Sequence, residues 1–202
     1  MAQPLGVILA GGQGTRMGGL NKALIQLCGR PLMHHVADRL APMAAEVVIS
    51  CNDPALVTDL TVIPDDLPDF QGPLAGILAA LDWAFARGHT HVVSVATDTP
   101  FFPLDLVDRL RGAANPMGLC LAASLGPEGE ELLQPTFGLW PTALRQDLRA
   151  FLISGERKVR RFAQEQGAGI ARFPGASDPF FNINTPEDLA LAEVLCGGNI
   201  AP

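Results

Sequence analysis

Directly after a short apolar run, the chain reads Leu9-Ala10-Gly11-Gly12-Gln13-Gly14-Thr15-Arg16-Met17-Gly18-Gly19-Leu20-Asn21-Lys22. Glycines at 11, 12, 14, 18 and 19 let backbone amides approach phosphate oxygens closely and adopt positive φ, while Arg16 and Lys22 supply cationic charge for a triphosphate. Two better-known phosphate loops do not fit. A G-x-G-x-x-G loop would need glycine where Met17 stands, and a P-loop would need lysine directly after Gly19, where Leu20 stands. A glycine-rich turn without a ligand would not require an arginine and a lysine at these places.

Other residues could share that chemistry. Asp98 follows the apolar run 91–96, which puts a carboxylate at a strand end facing the same crevice as the glycine loop. A hard oxygen ligand there suits Mg²⁺, although Asp98 also reads as a cap for a helix beginning near Pro103. Asp65, after the run 61–63, reads either as a second carboxylate able to accept hydrogen bonds from a ligand or as ordinary turn composition before Leu67-Pro68. Asn182 and Asn184 precede a helix start, where amides and the helix dipole favour an anion. Arg157, Lys158, Arg160 and Arg161 form a basic cluster, of which Arg160 and Arg161 read equally well as a solvated helix face. His34, His35, His89 and His91 form no metal or triad constellation, and no nucleophile elbow is present.

The elements that must position these residues alternate. Buried-strand runs at 6–10, 47–50, 61–63, 91–96, 118–123 and 136–139 are separated by segments of helical period. Leu74, Ile77, Leu78, Leu81 and Phe85 give a helix over 73–87, and Thr185-Pro186-Glu187-Asp188 opens a last helix ending near Gly197. The pattern predicts an α/β fold: one doubly wound, Rossmann-like, mainly parallel sheet with helices on both faces. The stretch 126–131 is polar and reads as a mobile loop. With 202 residues and no dividing linker, one domain over 1–202 is expected, its nucleotide-binding part about 1–110 and its acceptor-binding part about 111–202.

Composition narrows the function classes. A net charge of −7 argues against nucleic acid as partner. No apolar stretch approaches a membrane span, no secretory signal opens the chain, and Cys28, Cys51, Cys120 and Cys196 show no C-x-x-C pair. A cytoplasmic protein with reduced cysteines is expected.

The glycine loop resembles the G-G-x-G-T-R-M-G…K signature of nucleotidyltransferases that join a nucleoside monophosphate to a phosphorylated acceptor. Four later segments narrow the resemblance to the molybdenum cofactor guanylyltransferases: Gly72-Pro73-Leu74-Ala75-Gly76, Thr97-Asp98-Thr99-Pro100, Gln134-Pro135-Thr136 and Asn182-Ile183-Asn184-Thr185-Pro186-Glu187. The resemblance implies transfer of GMP from GTP to the terminal phosphate of molybdopterin with Mg²⁺, Arg16, Lys22 and Asp98 being catalytic and Asp98 holding the metal. It implies nucleotide contacts at Leu9, Ala10, Gly11, Gly12, Gly14, Lys22, Ser50, Asp65 and Asp98, the first three through backbone groups. It implies acceptor contacts at Gln134, Arg157, Lys158, Asn182 and Asn184, and a monomer in transient contact with cofactor-handling proteins. Two residues depart from the family pattern: Ser50 stands where asparagine is frequent, and Asn21 where aspartate usually precedes the lysine, which predicts a weaker ion pair with Arg16 or Lys22. A cytidylyltransferase acting on molybdopterin or on a sugar or polyol phosphate shares the first loop. A catalytically silent nucleotide-binding protein is the rival from another class, and the Arg16, Lys22 and Asp98 set argues against it.

Overall fold

The computed structural model describes residues 2–11, 21–53, 56–65, 72–126, 128–174 and 178–197. Gly12, Gly14 and Arg16 lie outside the described residues.

Seven strands form one mostly parallel sheet. They are β1 (Leu5–Leu9), β4 (Glu46–Ser50), β5 (Thr61–Ile63), β6 (His91–Ala96), β7 (Cys120–Leu125), β8 (Glu131–Pro141) and β9 (Gly169–Phe173), in the spatial order β5-β4-β1-β6-β8-β7-β9. A two-stranded hairpin, β2 (Gln26–Leu27) and β3 (Arg30–Pro31), stands apart from it. The hairpin closes through Cys28 and Gly29, both at positive φ (48° and 76°), the conformation that a two-residue turn between right-twisted strands demands. From β1 the chain moves outward to β4 and β5, then returns to place β6 on the other side of β1. That reversal opens a crevice beyond the carboxyl ends of β1 and β6, at Leu9 and Ala96.

The inward residues of the strands divide between two cores. Ile8, Ile49 and Val93 pack with α1 (Leu32–Leu40) and α3 (Leu106–Ala113), while Leu5, Val7, Val48 and Val92 pack with α2 (Pro73–Ala86), α4 (Arg145–Ile153) and α5 (Val159–Glu165). Alternation along each strand produces this division, since successive side chains point to opposite faces. A third, smaller cluster joins Ile25, Leu27 and Leu32 to Ile183 and to Ala192 of α6 (Pro186–Gly197). It carries the C-terminal segment back against the residues that follow the glycine loop.

Expected and observed elements differ in places. β8 begins at Glu131 rather than 136, and β7 runs to Leu125, so the stretch expected to be a mobile loop, of which residue 127 lies outside the described residues, connects two antiparallel strands and ends inside β8. Gly126 N–H donates to Glu130 O (2.8 Å) and Gly129 N–H to Gly126 O (2.9 Å). The helix expected near Pro103 is α3, starting at Leu106. The register of β7 on β8 jumps from Leu121↔Gly138 to Ala122↔Gln134, so Pro135, Thr136 and Phe137 form a bulge. Proline cannot donate to a ladder, and a bulge of this kind re-aims side chains. No helix among the described residues is long and apolar enough to cross a membrane.

Candidate active site

The ends of β1 and β6 are tied together first. Leu9 O accepts from both the N–H (3.3 Å) and the hydroxyl (2.8 Å) of Thr97, and Ala10 N–H donates to Ser50 O (3.0 Å). These bonds brace the strand ends. Leu9 also lines a pocket of about 190 Å³ together with Gly11, Ser50, Asp65, Gly72, Pro73, Gly76, Ala96, Asp98 and Thr136. A smaller adjoining pocket is lined by Leu9, Ala10, Lys22, Thr97 and Asp98.

Lys22 lies on one side of this crevice. It opens a short 3-10 helix, Lys22–Leu24, capped by Asn21, whose side-chain oxygen accepts from Ala23 N–H (3.0 Å). The Asn21 amide also donates to Asp53 Oδ2 (3.0 Å). An aspartate here could cap but would set two carboxylates against each other, so the departure at Asn21 has a local cause and does not touch the Lys22 ion pair. The Lys22 ammonium donates to Asp98 Oδ2 (2.8 Å) and to Asn184 Oδ1 (2.5 Å). Both members of the ion pair are four-fifths shielded, each side chain being 20% exposed.

Asp98 does not cap a helix. The buried Thr99 hydroxyl donates its one proton to Asn182 Oδ1 (2.7 Å) with the other Asp98 oxygen 3.3 Å away, and the Asp98 backbone carbonyl accepts from Ile183 N–H (2.8 Å). The loop 182–185 is thereby fastened to the end of β6. Its far end is a reciprocal cap on α6: Asp188 Oδ2 accepts from the N–H groups of Asn184 and Thr185 (both 2.9 Å), and Thr185 Oγ1 accepts from Asp188 N–H (3.1 Å). The Asn184 N–H above all, helped by Thr185 and by the charge of Lys22, holds the Asp188 carboxyl below its ordinary value of 3.8.

On the opposite wall, Ser50 Oγ donates to Asp65 Oδ1 (3.2 Å), and Asp65 N–H donates to Asn52 Oδ1 (2.7 Å). Ser50 thus acts on Asp65 rather than standing alone. Gly76 permits this arrangement: a Cβ there would lie 2.6 Å from Ser50 Oγ and 3.0 Å from Leu9 Cδ2.

The structure brings Leu9, Gly11, Ser50, Asp65 and Asp98 into one pocket, Lys22 into the adjoining one, and Asn182 and Asn184 to their edge through Thr99 and Lys22. Gln134, Arg157 and Lys158 line neither pocket. The Gln134 amide donates to Ser124 Oγ (3.1 Å), and its neighbour on the bulge, Thr136, reaches the pocket instead. Arg161 pairs with Glu165 (2.9 Å) and with Glu156, as expected of a solvated helix face. Thr97, Thr99 and the wall residue Gly76 were not singled out by residue chemistry, their signal being their place inside the motif segments, and Asp188 entered only as an acidic residue in the first turn of the last helix. Among the described residues no group of three or more His, Cys, Asp or Glu could hold a metal ion, and the carboxylates that line the pocket are Asp65 and Asp98.

Residues 6–170 match the MobA-like NTP transferase domain. The chain belongs to this family. A member of the MobA-like family is a nucleotidyltransferase. The chain is 48% identical over 193 residues to the molybdenum cofactor guanylyltransferase of Cereibacter sphaeroides, covering 94% of this chain and 95% of that one. Among solved structures it is similar to molybdopterin-guanine dinucleotide biosynthesis protein A from Archaeoglobus fulgidus, with a TM-score of 0.71, 26% identity, and coverage of 96% of this chain and 99% of the other. It is also similar to 2-C-methyl-D-erythritol 4-phosphate cytidylyltransferase from Thermus thermophilus, with a TM-score of 0.72, 23% identity, and coverage of 98% and 100%, a likeness of fold alone.

Proposed function

We propose that this nucleotidyltransferase transfers GMP from GTP to the terminal phosphate of molybdopterin, releasing pyrophosphate and forming the guanine dinucleotide cofactor, in the cytoplasm. The observation that carries the reading is the Lys22 ammonium held between Asp98 and Asn184 beside a pocket whose opposite wall offers the Asp65 carboxylate. In this reading the sheet is doubly wound, with the nucleotide bound across the crevice where its strand order reverses.

An acceptor phosphate oxygen attacks the α-phosphorus of GTP, the bond from that phosphorus to the bridging oxygen breaks, and pyrophosphate leaves. The nucleophile is already an anion, so no general base is required, and positioning with charge stabilisation carries the step. Lys22 has three N–H donors, two of them on Asp98 and Asn184, and turns the third to a phosphate oxygen. Arg16 adds charge from the glycine loop. Asp98, an oxygen ligand outside any closed cage of carboxylates, fits Mg²⁺ arriving with the triphosphate, since that ion is usually held by one or two carboxylates plus substrate phosphates. When bound, Mg²⁺ would offset charge on the phosphates. Asn182 and Asn184, at the N-terminus of α6, face the acceptor phosphate, with Gln134, Arg157 and Lys158 on the acceptor side. On the base side, Asp65 accepts from the N1–H and N2–H groups of guanine, a pair of donors that cytosine does not present.

A panel of GTP, CTP, ATP and UTP with molybdopterin, measuring pyrophosphate formed, tests the reading. GTP should be preferred over CTP by about a hundredfold or more, two mispaired buried groups costing about 1–3 kcal/mol each. Comparable turnover with CTP would replace guanylyl by cytidylyl transfer, and no pyrophosphate from any nucleotide would remove the activity.

A further inference from the structure

Asn184 is placed to serve Lys22 by groups that touch no substrate. The segment 182–185 is pinned at its start by buried Ile183, whose N–H donates to Asp98 O (2.8 Å), and at its end by Asp188. One oxygen of Asp188 receives the N–H of Asn184 and the N–H of Thr185, both at 2.9 Å. The first of these bonds fixes the peptide from which the Asn184 side chain reaches the Lys22 ammonium at 2.5 Å. A carboxylate accepting two N–H groups at a helix start is a strong, charge-assisted arrangement. It has two separable halves: the bonds into Asp188 Oδ2 hold Asn184, whereas the bond from Asp188 N–H to Thr185 Oγ1 only closes the helix end.

We propose that Asp188 is a positioning residue for phosphoryl transfer, acting through Asn184 to hold the Lys22 ammonium at Asp98. The inference rests on Lys22 and Asp98 being the machinery of the reaction. Asp188 contacts neither in the hydrogen-bond network, and the bonded path runs from Asp188 to the Asn184 backbone, from the Asn184 amide to Lys22, and from Lys22 to the phosphates and Asp98, beside a direct charge attraction between Asp188 and Lys22 that Asp188→Glu preserves.

The test is steady-state kinetics with GTP and molybdopterin, well below each variant's melting temperature, on Asp188→Ala, Asp188→Glu, Thr185→Ala, Asn184→Ala, Lys22→Ala and the double variant Asp188→Ala/Asn184→Ala. Asp188→Ala should lower kcat by about 10–100-fold, the loss typical when an outer-shell partner of a working group is removed, with KM for GTP within about threefold. Asp188→Glu should recover kcat to within about threefold of the unmutated protein, because glutamate three residues after a threonine cap keeps the negative charge and can accept from the backbone N–H at the helix start. Thr185→Ala removes the other half of the cap and should cost stability with kcat unchanged. In the Asn184→Ala background, Asp188→Ala should lower kcat by no more than about twofold further, since the path is already cut.

Normal kcat in Asp188→Ala, while Lys22→Ala and Asn184→Ala are impaired, would overturn this inference and leave the site reading standing. Equal losses in Thr185→Ala and Asp188→Ala, or full additivity with Asn184→Ala, would reduce Asp188 to a helix cap. Near-normal turnover in Lys22→Ala would overturn the site reading itself, and this inference with it.

Discussion

Replacing Gly76 by alanine puts steric fit and nucleotide recognition in direct competition with helix propensity. Gly76 lies inside α2, where alanine would ordinarily stabilise by about 1 kcal/mol. Here the added Cβ would lie 2.6 Å from Ser50 Oγ, 3.2 Å from Ser50 Cβ and 3.0 Å from Leu9 Cδ2, so side chains on both β4 and β1 must give way. Overpacking of this kind costs about 1–3 kcal/mol, which leaves a net destabilisation of about 0–2 kcal/mol. At about 2–4 °C per kcal/mol for a chain of this size, the melting temperature should fall by at most about 8 °C.

The effect on GTP should be larger. The cheapest relief is rotation of the Ser50 hydroxyl, which breaks its 3.2 Å bond to Asp65 Oδ1 and leaves the base-binding carboxylate misaligned. A mispaired buried polar group costs about 1–3 kcal/mol, or about 5–150-fold in KM for GTP. Steady-state kinetics over a series of GTP concentrations, beside a thermal melt, reads both effects. Adding Ser50→Ala to Gly76→Ala should restore stability by removing the clashing oxygen and leave GTP affinity low, because the bond to Asp65 stays absent. A KM for GTP within about twofold of the unmutated value in Gly76→Ala would refute this account of the pocket wall.

Asp65→Asn should weaken the preference for GTP over CTP, since an amide presents a donor where the carboxylate only accepts; strict GTP use in that variant, measured with the nucleotide panel, would move base selection to Gly11 and the rest of the loop. Stability should also depend on acid. The folded Asp188 carboxyl lies below its ordinary 3.8, so its contribution is complete above about pH 4 and is lost as pH falls through the lowered folded value. Urea unfolding of Asp188→Asn between pH 5 and pH 2.5 should show a shallower acid loss than the unmutated protein, and parallel curves would contradict that assignment.

The parts of the fold legible in the sequence were those with an uninterrupted local pattern. The runs at 61–63 and 91–96 became β5 and β6 with the same bounds, because β-branched residues dominate both, Thr61, Val62 and Ile63 in the edge strand β5 and three valines in the central strand β6. β8 was truncated because Glu131, Gln134 and Pro135 break the apolar run, and β9 escaped notice because an edge strand reading Gly-Ile-Ala-Arg-Phe is short and carries a charge. The hairpin β2–β3 lay in two-residue strands, below what periodicity can register.

The site divides the same way. Lys22, Asp98 and Asp65 could be nominated from charge placed at strand ends. What could not be read was that Lys22 meets Asn184 across 162 positions of chain, or that Leu9 O is already taken by Thr97, because both depend on how the sheet closes. The basic segment misled in part. Arg161 satisfies its charge with Glu156 and Glu165 on its own helix and approach, and sequence alone does not distinguish such a pair from a ligand site.

The most direct measurement of the central claim follows GTP labelled at its α-phosphate, with molybdopterin and Mg²⁺, in the unmutated protein and in Asp98→Asn. The substitution keeps the shape of the side chain and can still accept from Lys22, but it removes the charge on which the Lys22 pair and the metal both depend. The label should appear in a molybdopterin product with the unmutated protein, in step with pyrophosphate. With Asp98→Asn, transfer should fall by at least about a hundredfold while the melting temperature changes little, the scale expected for losing electrostatic stabilisation of the transferring group. Label transfer at a near-normal rate in Asp98→Asn, or label that never leaves the nucleotide pool with the unmutated protein, would contradict the account.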